Sequence, residues 1–222
     1  MIDGRILLET PLHTFHLGED AKMSDFAGYD MPLHYPDGAI AEHKLCREGA
    51  AIFDVSHMGQ IELRDETGAA DRILEQLERL IPANLVDLPV GKQRYGLLLN
   101  EAGGILDDLI VSNYGTHVRL IVNAACAAQD LAWVSDLIEA MSVIKMERSL
   151  IALQGPASEE VFSTLLPVAR EMRFMDARQF EWGGVGLNVS RSGYTGEDGF
   201  EISCPNDAVE DFVRALYIHD KA

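Results

Sequence analysis

The chain has 222 residues, 47% of them hydrophobic and 24% charged, which supplies a sizeable apolar core and excludes extended disorder. Its 18 Lys plus Arg stand against 36 Asp plus Glu, a formal charge of -18, so the surface repels polyanions, and neither nucleic acid nor an anionic membrane is expected as a partner. Cys46, Cys126 and Cys204 are too far apart for a zinc knuckle and odd in number for a disulfide framework, and no apolar run approaches the ~20 residues of a membrane helix.

The N-terminal stretch 1–10 lacks the basic-then-apolar build of a signal peptide and the Arg-rich build of a transit peptide, so a cytoplasmic location is expected. His13 and His16 have a ligand-like gap but no further ligands nearby, and they read as surface or turn histidines; no metal site is expected. Phe53-Asp54-Val55-Ser56-His57-Met58-Gly59 holds an adjacent Ser-His pair, but nucleophilic catalysis draws its members from separate elements, and a hydrolase triad is not expected here.

A first strand runs from Gln60 to Leu63, followed by a helix marked by Ile73, Leu74, Leu77 and Leu80. Three strands follow, Tyr95 to Leu99, Ile105 to Val111 and His117 to Val122, joined by Asn100-Glu101-Ala102-Gly103-Gly104 and Asn113-Tyr114-Gly115-Thr116 as hairpin loops. An antiparallel meander is the expected result. Within it, Asp107 shares a strand face with Ile105, Leu109 and Val111, whereas Asp108 shares one with Leu106 and Ile110. Apolar neighbours on both faces require a specific partner for at least one acid, unless the pair sits at a solvated strand start and caps the loop. Spacing leaves open which acid matters.

The next helix carries Leu131, Val134, Leu137, Ile138 and Met141; a strand runs from Leu150 to Leu153, and a helix holds Val161, Phe162 and Leu165. Strands at Val185 to Ser190 and Phe200 to Cys204 flank Gly193-Tyr194-Thr195-Gly196-Glu197-Asp198-Gly199, whose glycines permit positive φ and close backbone approach to a ligand. Glu201 points either into a pocket floor or outward from a half-solvated strand. A last helix, with Val209, Phe212, Val213 and Leu216, takes Asn206 as N-cap and Asp207 in its first turn. Helices on a mostly antiparallel sheet give an α+β class; no G-x-G-x-x-G follows a strand to support a doubly wound fold.

In this order, Thr10-Pro11-Leu12, Phe26-Ala27-Gly28-Tyr29, Phe53 to Met58, Asn100 to Val111, Val122-Asn123-Ala124, Ala152-Leu153-Gln154-Gly155-Pro156 and Gly193 to Gly199 give the chain its resemblance to the glycine cleavage T-protein (aminomethyltransferase) family, nearly end to end. The resemblance implies transfer of the one-carbon unit from the aminomethyl-lipoyl arm of H-protein to tetrahydrofolate, with release of ammonia. It implies Asp108 as the essential carboxylate, Glu201 as the acid that holds the pterin, and Met58, Tyr95, Ile121, Asn123 and Tyr194 as further folate contacts. Lys92 and Arg94 are expected to form a positive rim for a folate tail. The implied fold has a discontinuous first domain, 1–52 with 145–168 and 183–222, and an inserted ferredoxin-like domain, 53–144 with 169–182. The resemblance implies a C-terminal β-rich domain and an arginine-bearing segment before it that these 222 residues do not contain, so a fragment, inactive alone, is expected. Alternatives on the same scaffold are a dimethylsulfoniopropionate-type demethylase and a folate-binding iron-sulfur assembly factor; the latter's Cys-bearing motif is missing from the Gly193 to Gly199 stretch.

Overall fold

The computed structural model describes residues 6–138 and 141–218; the parts of the leader and chain-end expectations that concern residues 1–5 and 219–222 lie outside them. In chain order the elements are α1 (His13–Gly18), β1 (Lys22–Phe26), β2 (Tyr29–His34), α2 (Ala39–Glu48), β3 (Ala51–Asp54), β4 (Gly59–Asp65), α3 (Asp71–Leu77), β5 (Lys92–Leu99), β6 (Ile105–Asn113), β7 (Val118–Val122), α4 (Ala127–Leu137), β8 (Met141–Lys145), β9 (Arg148–Gln154), α5 (Ser158–Leu165), β10 (Ala177–Trp182), β11 (Val185–Ser190), β12 (Gly199–Pro205) and α6 (Val209–Ile218). The chain divides into two compact units, one of Met1–His57, Arg148–Phe174 and Gln179–Ala222, the other of Met58–Glu147 and Met175–Arg178.

The first unit is built on a five-stranded sheet of order β10-β11-β12-β9-β3, in which β11, β12, β9 and β3 pair antiparallel in turn. Strand alternation divides β12: Phe200, Ile202 and Cys204 enter the core with Phe162, Phe212 and Leu216, while Glu201 and Ser203 face the other way. The stripe read at Val209, Phe212, Val213 and Leu216 is the buried face of α6. Its expected cap is not made, because Asn206 and Asp207 precede the helix in a turn and Asn206 Oδ1 accepts from Ser149 Oγ at 3.0 Å; Glu210 and Asp211 supply the first-turn acids instead. The β1–β2 hairpin turns on Ala27 and Gly28, both at positive φ (52° and 84°), as a tight two-residue connection demands.

The second unit has a five-stranded sheet of order β5-β6-β7-β4-β8. The expected meander is present, with β5–β6 and β6–β7 antiparallel. Both hairpin loops form: Asn100 Oδ1 accepts from the N–H groups of Ala102 (3.0 Å) and Gly104 (2.8 Å), and Asn113 Oδ1 from that of Gly115 (2.8 Å). Ile61, Leu63, Leu98, Leu109, Val111, Leu120 and Val122 join Ile73, Leu74, Leu77 and Val134 of the helices in one core. Gly59 lets α4 start against the sheet, for a Cβ there would lie 2.6 Å from Val122 Cγ2 and 2.7 Å from Ala127 Cβ. Met141, expected as the tail of a helix, instead opens β8 and pairs with Asp65.

Only Met175–Arg178 of the 169–182 stretch group with the second unit, because β10 hydrogen-bonds to β11 in the first unit's sheet. The other boundaries fall at His57/Met58 and Glu147/Arg148. No helix among the described residues is long and apolar enough to cross a membrane.

Candidate functional site

The register of the second sheet decides which expected residues share a surface. Tyr95 pairs with Ile110, Ile110 with Ile121 and Ile121 with Gln60, while Leu97 pairs with Asp108 one step along. Tyr95, Ile110, Ile121 and Asp108 therefore occupy the face opposite the helix-packed core, because Leu98, Leu109 and Val122 alternate onto the core side. Tyr95 is 47% exposed and Leu97 40%, Asp108 is exposed and Ile121 half-buried. Met58 is half-buried in the turn leading into β4.

Asn123, just past β7, ties the two adjacent acids together. Its Nδ2 donates to Asp107 Oδ1 at 2.8 Å and reaches Asp108 Oδ1 and the Asp108 carbonyl oxygen, each at 3.1 Å; its backbone N–H donates to Asp107 Oδ2 at 2.9 Å. The two aspartates thus divide the roles that spacing left open. Asp107 is buried on the core side with each oxygen hydrogen-bonded to Asn123; burial would raise its pKa, but the hydrogen bonds hold it below the usual value. Asp108 presents a carboxylate on the open face. Loop capping falls to Asn100, so neither acid is spent on it.

In the first unit, Glu201 is buried on β12 beside Ser190 of β11 and Ala152 of β9. Its Oε2 accepts from Ser192 Oγ at 2.6 Å, and the Ser190 and Ser192 hydroxyls are 2.8 Å apart. Burial raises the Glu201 pKa, with the serine hydroxyls working against it. The outward, half-solvated reading of Glu201 is thereby excluded. Tyr194 is 74% exposed in the loop between β11 and β12.

Five of the expected residues, Met58, Tyr95, Asp108, Ile121 and Asn123, thus belong to the second unit, and Tyr194 and Glu201 to the first. A cavity of about 630 Å³ in the first unit, lined by Leu12, His16, Met31, Tyr35, Asp54 and Leu153 among others, contains none of the seven. The expected cationic rim is not built as described. Lys92 Nζ is paired with Asp176, and Arg94, opposite Val111 in the register, alternates onto the other side of β5 from Tyr95.

The surface reading of the two histidines fails at His16, which is buried, whereas His13 is half-buried. On α1, His16 is buried, with Nε2 2.9 Å from Asp54 Oδ2 and Nδ1 2.9 Å from the Tyr35 hydroxyl, and His13 Nε2 lies 2.9 Å from Asp30 Oδ2. Ser56 serves the backbone: its Oγ accepts from the Leu150 N–H at 3.1 Å and lies 3.3 Å from the Leu150 carbonyl oxygen. His57 sits edge-on to Phe26, and burial lowers its pKa. Among the described residues no His, Cys, Asp or Glu group is arranged to hold a metal.

The roles of three residues of these surroundings went unread in the sequence. Ser192 backs Glu201, Gln154 braces the loop bearing Tyr194, and Asp130 lies beneath Asp107. Asp130 left a signal of its own: Ala127, Asp130, Val134 and Ile138 recur at helical spacing, which puts an acid in an apolar stripe.

The model of the family described as GCVT N-terminal domain matches residues 12–221. The chain is 40% identical over 216 residues to an aminomethyltransferase of Chlorobaculum parvum, covering 94% of this chain and 58% of that one. It is 36% identical over 212 residues to a mitochondrial aminomethyltransferase of Dictyostelium discoideum, covering 90% and 51%. The crystal structure of glycine cleavage system aminomethyltransferase T from Bartonella henselae superposes with a TM-score of 0.88 at 36% identity, over 95% of this chain and 57% of that one. The chain therefore spans little more than half the length of the curated relatives it matches.

Proposed function

The chain belongs to the GCVT N-terminal domain family, and from that premise we propose that it is the folate-handling part of an aminomethyltransferase of the glycine cleavage system. Its substrates would be the aminomethyl-lipoyl arm of H-protein and tetrahydrofolate. Similarity to proteins named aminomethyltransferases favours this over demethylation or iron-sulfur assembly. The second unit's order β6-β7-β4-β8, with α3 and α4 as crossovers and β5 as an added edge, supports its reading as an inserted ferredoxin-like domain.

The single observation that carries the proposal is the Asp108 carboxylate on the helix-free face, held by Asn123 in the same unit as Tyr95 and Ile121. Reduced folate supplies the amine that receives the one-carbon unit. Asp108 would accept a hydrogen bond from that amine and stabilise positive charge as it develops, a role for a preorganised anion. Glu201, steadied by Ser192, would accept paired N–H bonds from the 2-aminopyrimidine edge of the pterin, a charge-assisted contact. Tyr95, Tyr194 and Met58 would offer flat and polarisable surface to the ring, and Ile121 with Asn123 would line another edge. The donors and acceptors present therefore suit a reduced pterin.

The test is formation of 5,10-methylenetetrahydrofolate from aminomethylated H-protein by the full-length protein and its Asp108→Asn variant. A loss of roughly 10²-fold or more in kcat is expected. Retained activity would place the chemistry elsewhere.

A further inference from the structure

Asp130, in the first turn of α4, has a relative exposure of 0%, and no donor among the described residues reaches either of its carboxylate oxygens. Its side chain lies against that of Asp107. Asp107 already uses both oxygens to accept from Asn123, Oδ2 from the backbone N–H and Oδ1 from Nδ2. Two buried carboxylates in contact do not both stay ionised, because repulsion and desolvation disfavour the second charge. A single proton satisfies the arrangement: Asp130, as the neutral acid, donates its O–H to the Asp107 carboxylate.

From there the hydrogen bonds run to the open face. The Asn123 amide has two N–H donors; Asp107 Oδ1 takes one at 2.8 Å, and Asp108 Oδ1 and carbonyl oxygen lie 3.1 Å from the same nitrogen. The titratable group facing Asp130 is Asp107 of β6, and Cys126 of the turn before α4 feels both acids; Cys126 Sγ donates to the Leu106 carbonyl oxygen at 3.8 Å. Among the described residues, the pKa of Asp130 is set by burial and Asp107, with no cation contributing.

We propose that Asp130, held as a carboxylic acid against Asp107, is a positioning residue that fixes Asn123 and, through it, the orientation of the Asp108 carboxylate. This rests on the assignment of Asp108 above. The pKa of Asp130 is pushed up to about 7 by burial and by Asp107, so the proton is present at mildly acidic pH and leaves as pH rises through neutrality. Loss of that proton puts two charges side by side beneath Asn123 and loosens its hold on Asp108.

The test uses the full-length protein with Asp130→Asn, whose amide donates to Asp107 at every pH, and Asp130→Leu, which has no donor. In wild type, kcat should fall as pH rises through about 7, and the infrared difference spectrum between about pH 5 and about pH 9 should contain a protonated-carboxyl C=O band. Asp130→Asn should lose that band, flatten this limb of the profile and keep kcat within several-fold. Asp130→Leu, verified as folded by its thermal transition, should lower kcat by roughly tenfold or more with little change in KM for tetrahydrofolate. A band and limb that persist in Asp130→Asn, or full activity in Asp130→Leu, would overturn the proposal. The infrared arm does not depend on activity, so an inactive Asp108→Asn beside a missing Asp130 band would sink the positioning role alone.

Discussion

The buried amide oxygen of Gln154 accepts the Thr195 hydroxyl at 2.9 Å, fastening the end of β9 to the loop that exposes Tyr194. On its other side Nε2 donates to the Ser192 carbonyl oxygen at 2.8 Å. The loop's glycines are shaped around this side chain: a Cβ at Gly193 (φ 145°) would sit 2.1 Å from Gln154 Oε1, and one at Gly199 would sit 2.4 Å from Nε2 and 2.5 Å from the Leu153 carbonyl oxygen. Positive φ and close approach were expected of these glycines, with a ligand as the approaching group; at Gly193 and Gly199 that group is Gln154.

Gln154→Leu should therefore destabilise the protein by about 1–3 kcal/mol, since it leaves the Ser192 carbonyl and the Thr195 hydroxyl without their partner in a buried setting. Urea unfolding at neutral pH measures the loss. A difference within about 0.5 kcal/mol of wild type would show that the brace contributes nothing.

Asp54 predicts an acid-sensitive first unit. Its Oδ2 accepts from Thr10 Oγ1 at 2.6 Å and lies 2.9 Å from His16 Nε2, and its Oδ1 accepts from the Ser56 N–H at 2.9 Å. Burial alone would raise its pKa, but these hydrogen bonds win and hold it below the usual value. The folded state thus keeps the carboxylate charged where the unfolded chain takes a proton. The resulting stabilisation is present above about pH 4 and is lost as pH falls through the lowered pKa. Asp54→Asn should cost about 1–3 kcal/mol at pH 7 and show a shallower acid limb in urea midpoints. An acid limb as steep as that of wild type would assign the sensitivity to other groups.

Periodicity carried much of the architecture. The apolar spacings announced α3, α4, α5 and α6, and each of the seven strands read from the sequence contains its observed counterpart or lies within it. Elements without that pattern stayed invisible. Cys46 is the buried residue of α2, so its sequence shows no apolar stripe, and β1, β2 and β3 are short segments of mixed burial. The roles of polar residues were less legible still, because they depend on partners far away in sequence. His16 becomes a buried residue only through Tyr35 and Asp54, and the choice between Asp107 and Asp108 waits on Asn123, beyond the next hairpin. Alternation placed the two acids on opposite faces; naming the open one required the position of the helices.

Arg119 and Glu62 form a buried pair on the open face of the second sheet, with Arg119 Nε and Nη2 donating to Glu62 Oε2 at 2.9 and 2.7 Å. Arg64 Nε also donates to Glu62 Oε1 at 2.6 Å, so Arg119→Met should cost about 1–3 kcal/mol by leaving Oε2 without its two donors, and Arg119→Met with Glu62→Leu should recover much of the loss. Beside them His117 stacks on Tyr114, with ring centroids 4.9 Å apart, and burial outweighs the pull of Glu62 to bring its pKa down to about 4. The unfolded chain protonates this histidine at higher pH than the folded one, so stability falls as pH drops from about 6.5 towards 4. His117→Phe should retain the stack and weaken that slope. A double variant no more stable than Arg119→Met alone would contradict the argument.

Glu201→Gln separates folding from binding. The carboxylate is buried and its pKa is raised; because the folded state holds its proton to higher pH than the unfolded chain, the stability contributed by the neutral form is lost as pH rises through the raised value. A glutamine of the same shape stays neutral and can still accept from Ser192 Oγ, 2.6 Å from Oε2 in the native chain, so urea unfolding at neutral pH should show no loss and a small gain. Binding should respond in the opposite direction. On the proposed assignment of Glu201, an amide offers one acceptor where the carboxylate offers two, and its N–H₂ would oppose the donors of the pterin edge, so affinity for tetrahydrofolate should fall by roughly 10–100-fold. Calorimetric titration of the full-length protein measures this directly. Unchanged affinity in a stably folded Glu201→Gln would remove Glu201 from the proposed pterin contacts, whatever Asp108 proved to do.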